Sequence, residues 1–392
     1  MKILLFKTNN LSVVLLYLTP AFLIFSLFFY VQLVNNHITK LTILFSVFIS
    51  STCFGQTSQF ADSIRIAYDI PELNYAVVSS SNIIEIQALG FKQYNSTYQA
   101  ALTDKFRIGS NTKTVTSYMA FLLVKKGVLK WETKFFDLYP ELKTQSNSAY
   151  YNLTLQDLLT FRAHLMNWTY TYEEPAQTII KGNEKQQRYE FVAWILQQKP
   201  RGRQRNYYFS NPSYVAVGLM LEKATGKDYK TLVYELGDSL DIDFGFGQPN
   251  FYDTNQTWGH SEDLEPEGPA ENYKLNWLSS AGNLNVTLPD YAKFIQLQLQ
   301  GLSGKSNLLT ADEFYTMHFG LQDFAFGWNW YVDEQSQVKY SWHTGNPGTF
   351  FTKVFICKET DRAYIFFANV GSEKVENGIT ILFEELKRKY DH

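Results

Sequence analysis

Apolar positions recur at helical spacing after Ser110. Val115, Tyr118, Met119 and Leu122 share one face, Lys125 and Lys126 fall in the last turn, and Gly127 follows as a stop. Strand-like runs lie instead toward the two ends of the chain. Residues 74–80 and 83–88, broken by Ser81-Asn82, predict a hairpin, and 349–356 and 362–369 predict two further strands joined by a short polar turn. A helix over 57–69 leads in. Thr154 is the expected N-cap of a short helix through Leu159, with Asp157 in its first turn. Residues 190–198 read as helical. Pro212 sits at the first position of a helix opened by Ser210-Asn211 and stopped at Gly226. A helix over 290–300 has Gly301 as its stop, and one over 375–389 has Gly378 as its weak point. Residues 244–276, rich in Gly, Pro, Asn and Asp, predict a long irregular excursion of the kind that lines a site. Strands at both ends and helices between them predict one sheet assembled from the two chain ends and covered by helices. A mostly helical insertion, about residues 130–300, then forms a second lobe, with the chemistry in the cleft between.

Ahead of this domain, residues 56–392, stand two apolar segments. Residues 11–34 carry no charge over 24 positions, long enough as a helix to span a bilayer, with Pro20 a tolerable kink. Leu41 to Ile49 is too short to span. It has the length of a signal-peptide core within 38–55, with Lys40 as basic flank and Cys53-Phe54-Gly55 before a cut near Gln56. Two arrangements fit: a true start near residue 38 with 1–37 as an extension, or 11–34 as a membrane anchor with Lys2 and Lys7 on the cytoplasmic side. Either route puts the folded part outside the cytoplasm, in the periplasm or cell envelope. A pair of buried core helices is the weaker reading.

Composition adds mainly exclusions. The 392 residues are 45% hydrophobic and 19% charged, an ordinary globular balance with ample core. Net charge is −3, and Lys2, Lys7 and Lys40 are the only charged residues before position 56. Nothing clusters as a nucleic-acid surface would. Cys53 and Cys357 make no disulfide framework, and the six histidines show no metal-ligand spacing. No cofactor, no metal site and no nucleic-acid partner are expected.

The candidate chemistry sits at the head of the Ser110 helix. Phe106-Arg107-Ile108-Gly109 reads as a turn delivering Ser110 to the positive end of the helix dipole, and Lys113 lies one turn on, nearly on the same face. A lysine in a first helical turn is electrostatically misplaced. It makes sense where the position asks for an amine of lowered pKa that takes the serine's proton. Such a pair is common by chance, so its companions decide.

Those companions are Phe209-Ser210-Asn211 before a helix and His343-Thr344-Gly345 before the strand expected from Thr349. With Ser110-Asn111-Thr112-Lys113 they resemble, in order and placing, the motifs of the serine β-lactamase and penicillin-binding-protein superfamily, especially its class C and esterase-like branch. Ala281-Gly282-Asn283-Leu284 looks like the family's A-G-G-L turn, and Phe326-Gly327-Trp328 resembles its Y-G-x-G-W strand; the likeness covers roughly residues 57–390. The resemblance implies an α+β fold, an α/β sandwich of the β-lactamase/transpeptidase-like kind with an antiparallel sheet. It implies Ser110 as acylated nucleophile, Lys113 as base, Asn211 as the partner of lysine and substrate amide, and His343 where many members carry lysine. Thr344 and Gly345 would line the substrate, and the N–H groups of Ser110 and Asn346 would form the oxyanion hole. The sequence departs from the pattern twice. Phe209 stands where the family has a proton-shuttling tyrosine; Tyr208, next to it, is expected to point elsewhere. Leu159-Thr160-Phe161-Arg162-Ala163-His164-Leu165 replaces L-T-H-T-S-G-L, with His164 in the turn's glycine position. Asn211 has a plainer reading as a helix cap, and His164 and His260 as structural or surface residues. Trp168, Tyr170 and Tyr172 are either cleft lining or packing. Two functions follow: an exported serine hydrolase acting on an ester or amide (peptidoglycan peptide, β-lactam or small ester), or a catalytically impaired descendant that binds peptides or a partner in the same cleft.

Overall fold

A computed structural model of the protein describes residues 3–8, 11–16, 57–202, 206–270 and 272–391. The chain divides into Met1–Cys53 and Phe54–His392. Within the first unit, β1 (Ile3–Thr8) and β2 (Leu11–Leu16) pair antiparallel with Ile3 opposite Leu16. The apolar run from residue 11 therefore begins as a strand rather than as the expected membrane helix. Apolarity alone does not select between the two, and the β-branched pair Val13-Val14 favours extended backbone. The remaining stretch of that run, 17–34, and the signal-peptide-like segment 38–55 lie outside the described residues. No described helix is long and apolar enough to cross a membrane.

The second unit opens with α1 (57–67) and the hairpin β3 (Glu72–Val78) and β4 (Ile83–Gly90), followed by β5 (Lys105–Arg107). Then come α2 (Thr112–Lys125), α3 (Phe135–Leu138), α4 (Leu155–Leu159), α5 (Glu184–Gln197), α6 (Asn211–Thr225) and α7 (Tyr229–Leu240). The excursion holds β6 (Gly245–Phe246), α8 (Pro249–Tyr252), α9 (Tyr273–Trp277) and α10 (Ser279–Gly282), and leads into β7 (Leu284–Thr287). After α11 (Leu288–Leu302) and α12 (Ala311–Phe319) the chain returns through β8 (Asn329–Val332), β9 (Lys339–Gly345), β10 (Phe351–Cys357) and β11 (Arg362–Ala368) to α13 (Glu373–Tyr390).

Both ends of the domain build one antiparallel six-stranded sheet in the order β4-β3-β11-β10-β9-β8. Its middle strands are buried along their length, because each face is covered. Ile64 of α1 and Val375, Ile379, Leu382 and Phe383 of α13 pack on one face with Tyr75, Phe355 and Phe366. The other face, with Ala76, Val354, Ile365 and Phe367, joins the larger core of the helical lobe. Burying these apolar faces is what holds the lobe and the sheet together.

Several expected local devices are present. Thr154 and Asp157 form a reciprocal capping box, and Gly226 ends α6 at φ +72°. Others differ. His343-Thr344-Gly345 is the end of β9 and does not merely precede a strand; β8 and β9 escape the pattern because their alternation is blurred by aromatic residues on both faces. Gly301 lies inside α11, where an added Cβ would come 2.2 Å from the Phe314 ring, and one at Gly378 in α13 would come 2.6 Å from Tyr68. Both glycines admit a neighbour rather than stop or weaken a helix.

Candidate active site

The turn before α2 is where sheet, lobe and third motif converge. Gly109 takes φ +48°, and a Cβ there would lie 2.9 Å from the Asn346 backbone nitrogen. Gly345 meets the same segment from the sheet, since its Cβ would fall 1.9 Å from the Ile108 carbonyl oxygen. Two glycines thus bring the end of β9 against the residues that carry Ser110. Asn111 fixes the join by donating to Thr352 Oγ1 at 2.7 Å, and that hydroxyl donates to Ile108 O at 3.0 Å.

Lys113, on the first turn of α2, is fully buried. Its Nζ lies 2.8 Å from Ser110 Oγ, 2.9 Å from Asn211 Oδ1 and 2.7 Å from the Ala281 carbonyl oxygen. All three partners are uncharged. Burial pushes the amine from its ordinary 10.5 down to about 7. A neutral amine has two N–H donors and one lone pair. The charged amine donates to all three partners; once it is neutral, Asn211 and Ala281 take the two donors and the lone pair is left for the Ser110 hydroxyl to donate to, the geometry a general base on a nucleophile needs.

Asn211 is not the cap of α6; the N-cap position is Ser210, whose hydroxyl donates instead to Met166 O at 3.0 Å. The Asn211 amide nitrogen donates to Trp168 O at 3.1 Å, which aims its oxygen at Lys113. Phe209 turns its ring to Lys113, with Nζ 5.5 Å from the ring centre, so a benzyl group faces the amine and brings no hydroxyl. Tyr208 lies against Gly202 instead. Phe209 packs on Phe161 at 5.0 Å, Phe161 on Phe324 at 4.4 Å, and Phe324 meets the edge of the His343 ring at 6.0 Å. This aromatic row replaces part of the expected turn. His164 occupies the family's glycine position at φ +59°, its backbone tied to Arg201, and Arg162 donates to the carbonyls of Thr160, Phe324 and Gln322.

His343 is nearly buried. Burial first, then the Lys113 charge, lowers its imidazole to about 3, so the ring is neutral. Its Nδ1 lies 2.9 Å from the Thr344 carbonyl oxygen. Thr344 follows on the strand, and Asn346, exposed, accepts at Oδ1 from the Gly348 N–H at 2.9 Å. The remaining aromatic and histidine candidates separate cleanly. Trp168 is core and donates to Glu174 O; Tyr172 is exposed; Tyr170 abuts Gly348 beside the third motif. His260 is a buried connector, accepting from the Tyr94 N–H and bonded to Asn369 O, and not a surface residue. The Ala281 carbonyl as third partner of the lysine, and the Phe161–Phe324 wall, were not readable from the sequence; the first comes from α10 lying against α2, the second from the turn after α4 meeting the segment before β8.

A family model described as Beta-lactamase matches residues 57–383. Among solved structures, a beta-lactamase from Sulfitobacter sp. EE-36 is 17% identical, with TM-score 0.70 over 86% of this chain and 99% of that one. A class C beta lactamase from Rhodobacter sphaeroides is 16% identical, with TM-score 0.68 over 84% of this chain and 99% of that one. A D-alanine carboxypeptidase AmpC from Burkholderia cenocepacia is 16% identical, with TM-score 0.66 over 86% of this chain and 99% of that one.

Proposed function

Since this chain belongs to the beta-lactamase family, we propose that it is a serine hydrolase working by acyl transfer through Ser110. The single observation that carries this reading is the buried, neutral-leaning Lys113 amine 2.8 Å from the Ser110 hydroxyl. Lys113 takes the hydroxyl proton as Oγ attacks the carbonyl carbon. The negative oxygen that forms is received by the backbone N–H groups of Ser110 and Asn346; such a donor is typically worth about 3–4 kcal/mol. Collapse expels the leaving group, which leaves with the proton held by Lys113. Water then attacks the acyl-enzyme, gives its proton to Lys113, and Ser110 regains its hydroxyl as the acid departs. Asn211 holds the amine in place throughout. Substrates in view are a small ester, a β-lactam or a D-alanine peptide, the last two in line with the activities named for the similar structures. The same reading has the domain exported, on the strength of the apolar runs ahead of it; sequencing the mature amino terminus checks that.

A rival reading has one specific observation in its favour. Phe209 supplies no proton where a tyrosine is expected, so the cleft would bind without turnover. A fluorophosphonate separates the two. Intact mass should rise by one adduct on the wild type and not on Ser110→Ala; absence of any adduct at high reagent favours the binder.

A further inference from the structure

We infer that the site takes substrates carrying an uncharged hydrogen-bond donor, an amide N–H or a hydroxyl, beside the scissile bond, and turns away those with a carboxylate there. The inference deepens the hydrolase reading and rests on it. Its origin is one atom. His343 Nε2 is buried and has no hydrogen-bond partner. A buried polar atom left unpaired costs stability, which a ligand group can recover.

Which partner it wants follows from the other ring nitrogen. Nδ1 lies 2.9 Å from the Thr344 carbonyl oxygen, which can only accept, so Nδ1 carries the ring's hydrogen. Nε2 of a neutral ring is then a bare lone pair. It accepts hydrogen bonds and offers none.

Strand geometry places that lone pair. Residues two apart on a strand share a face. Gly345 faces Ile108 O in the segment that carries Ser110, so His343 is on the nucleophile's side of β9. The ring borders Phe324 there, in the row that ends on Lys113. The cation whose charge reaches this ring is Lys113, and burial lowers that amine to about 7, so above that pH it offsets the lone pair little. Arg162 is committed to three carbonyl oxygens, and Arg107 pairs with Glu267 at 3.8 Å. A carboxylate brought to this wall would lose its hydration and meet a second lone pair; an amide or hydroxyl would complete the histidine.

The test uses matched probes. kcat/KM is measured for the hippuryl esters of glycolamide and of glycolic acid. Dissociation constants of hippurylglycinamide and hippurylglycine are measured by calorimetry, so that the preference is read whether or not turnover occurs. We expect the amide form to be favoured by about tenfold or more, the size of one hydrogen bond gained. In His343→Lys the preference should invert. In His343→Gln, which keeps a neutral side chain should the lysine variant not fold, it should fall toward one. Preference for the carboxylate, a ratio near one, or binding of neither form overturns the inference. An intact ratio with no fluorophosphonate adduct overturns the hydrolase reading alone.

Discussion

Lys113→Met is the substitution whose consequences follow most directly from the site. The native amine is pushed from 10.5 to about 7 by burial. At about 1.4 kcal/mol per pH unit, holding it costs the native state on the order of 4–5 kcal/mol. The sign is opposite to that of a salt-bridged lysine. The unfolded chain binds the proton more tightly, so the cost is fully present below about pH 7 and fades as pH rises toward 10.5. The variant removes this dependence, although it leaves Asn211 Oδ1 and Ala281 O without the amine, a loss of about 1–3 kcal/mol each that does not vary with pH. Urea unfolding of wild type and variant, followed from about pH 7 to about pH 10, should show the wild type gaining roughly 3 kcal/mol relative to the variant. Every other titrating group is common to both proteins and cancels. In parallel, the rate of fluorophosphonate labelling in the wild type should rise with pH about a midpoint near 7. Parallel stability profiles, or a labelling midpoint near 10, would refute the claim that burial neutralises this amine.

Phe209→Tyr restores a hydroxyl at the ring that faces Lys113, and ester hydrolysis should rise by about 10²-fold, as for regaining an acid–base group; an unchanged kcat would mean that proton transfer never used this position. His164→Gly relieves a left-handed backbone at φ +59° but removes a buried ring bonded to the Arg201 carbonyl oxygen at 3.0 Å, so the domain should lose about 1 kcal/mol, read as a lower urea midpoint at constant slope.

The fold was legible where a pattern had one cause. Strands at both chain ends pair into one sheet, as their position required, and Thr154, Pro212 and Gly226 mark real helix termini because capping chemistry is local. It was illegible where tertiary contact reassigns a residue. Gly301 and Gly378 carry the composition signal of helix stops and weak points, yet each admits a ring from another element. Strand β9 lacks clean alternation because Tyr340, Ser341 and His343 are all buried while serving different neighbours. At the site, the motif residues Ser110, Lys113 and Asn211 come together within hydrogen-bond distance, and the third motif reaches them through Gly345. The lowered pKa of Lys113 could be expected from a misplaced lysine, but its cause could not. It lies in burial under α6 and α10, whose Asn211 and Ala281 stand 98 and 168 residues away along the chain and bring no charge to offset the lost hydration.

Those partners bear on why a phenylalanine is tolerable at position 209. A tyrosine there offers a proton relay but also a polar atom beside the amine. The phenylalanine withdraws the relay and instead closes an apolar row through Phe161 and Phe324 to His343. Its ring face attracts a cation, as does that of Tyr214 at 5.7 Å, worth about 0.5–2 kcal/mol and favouring the charged amine. Desolvation acts the other way and is larger, since the amine still falls to about 7. One substitution therefore removes an acid–base group and keeps dry the lysine that must replace it. If that balance is right, Phe209→Tyr raises the rate while moving the labelling midpoint upward, because a better-solvated amine holds its proton longer. A faster enzyme with an unmoved midpoint would separate the two effects and show that the apolar row plays no part in setting the base.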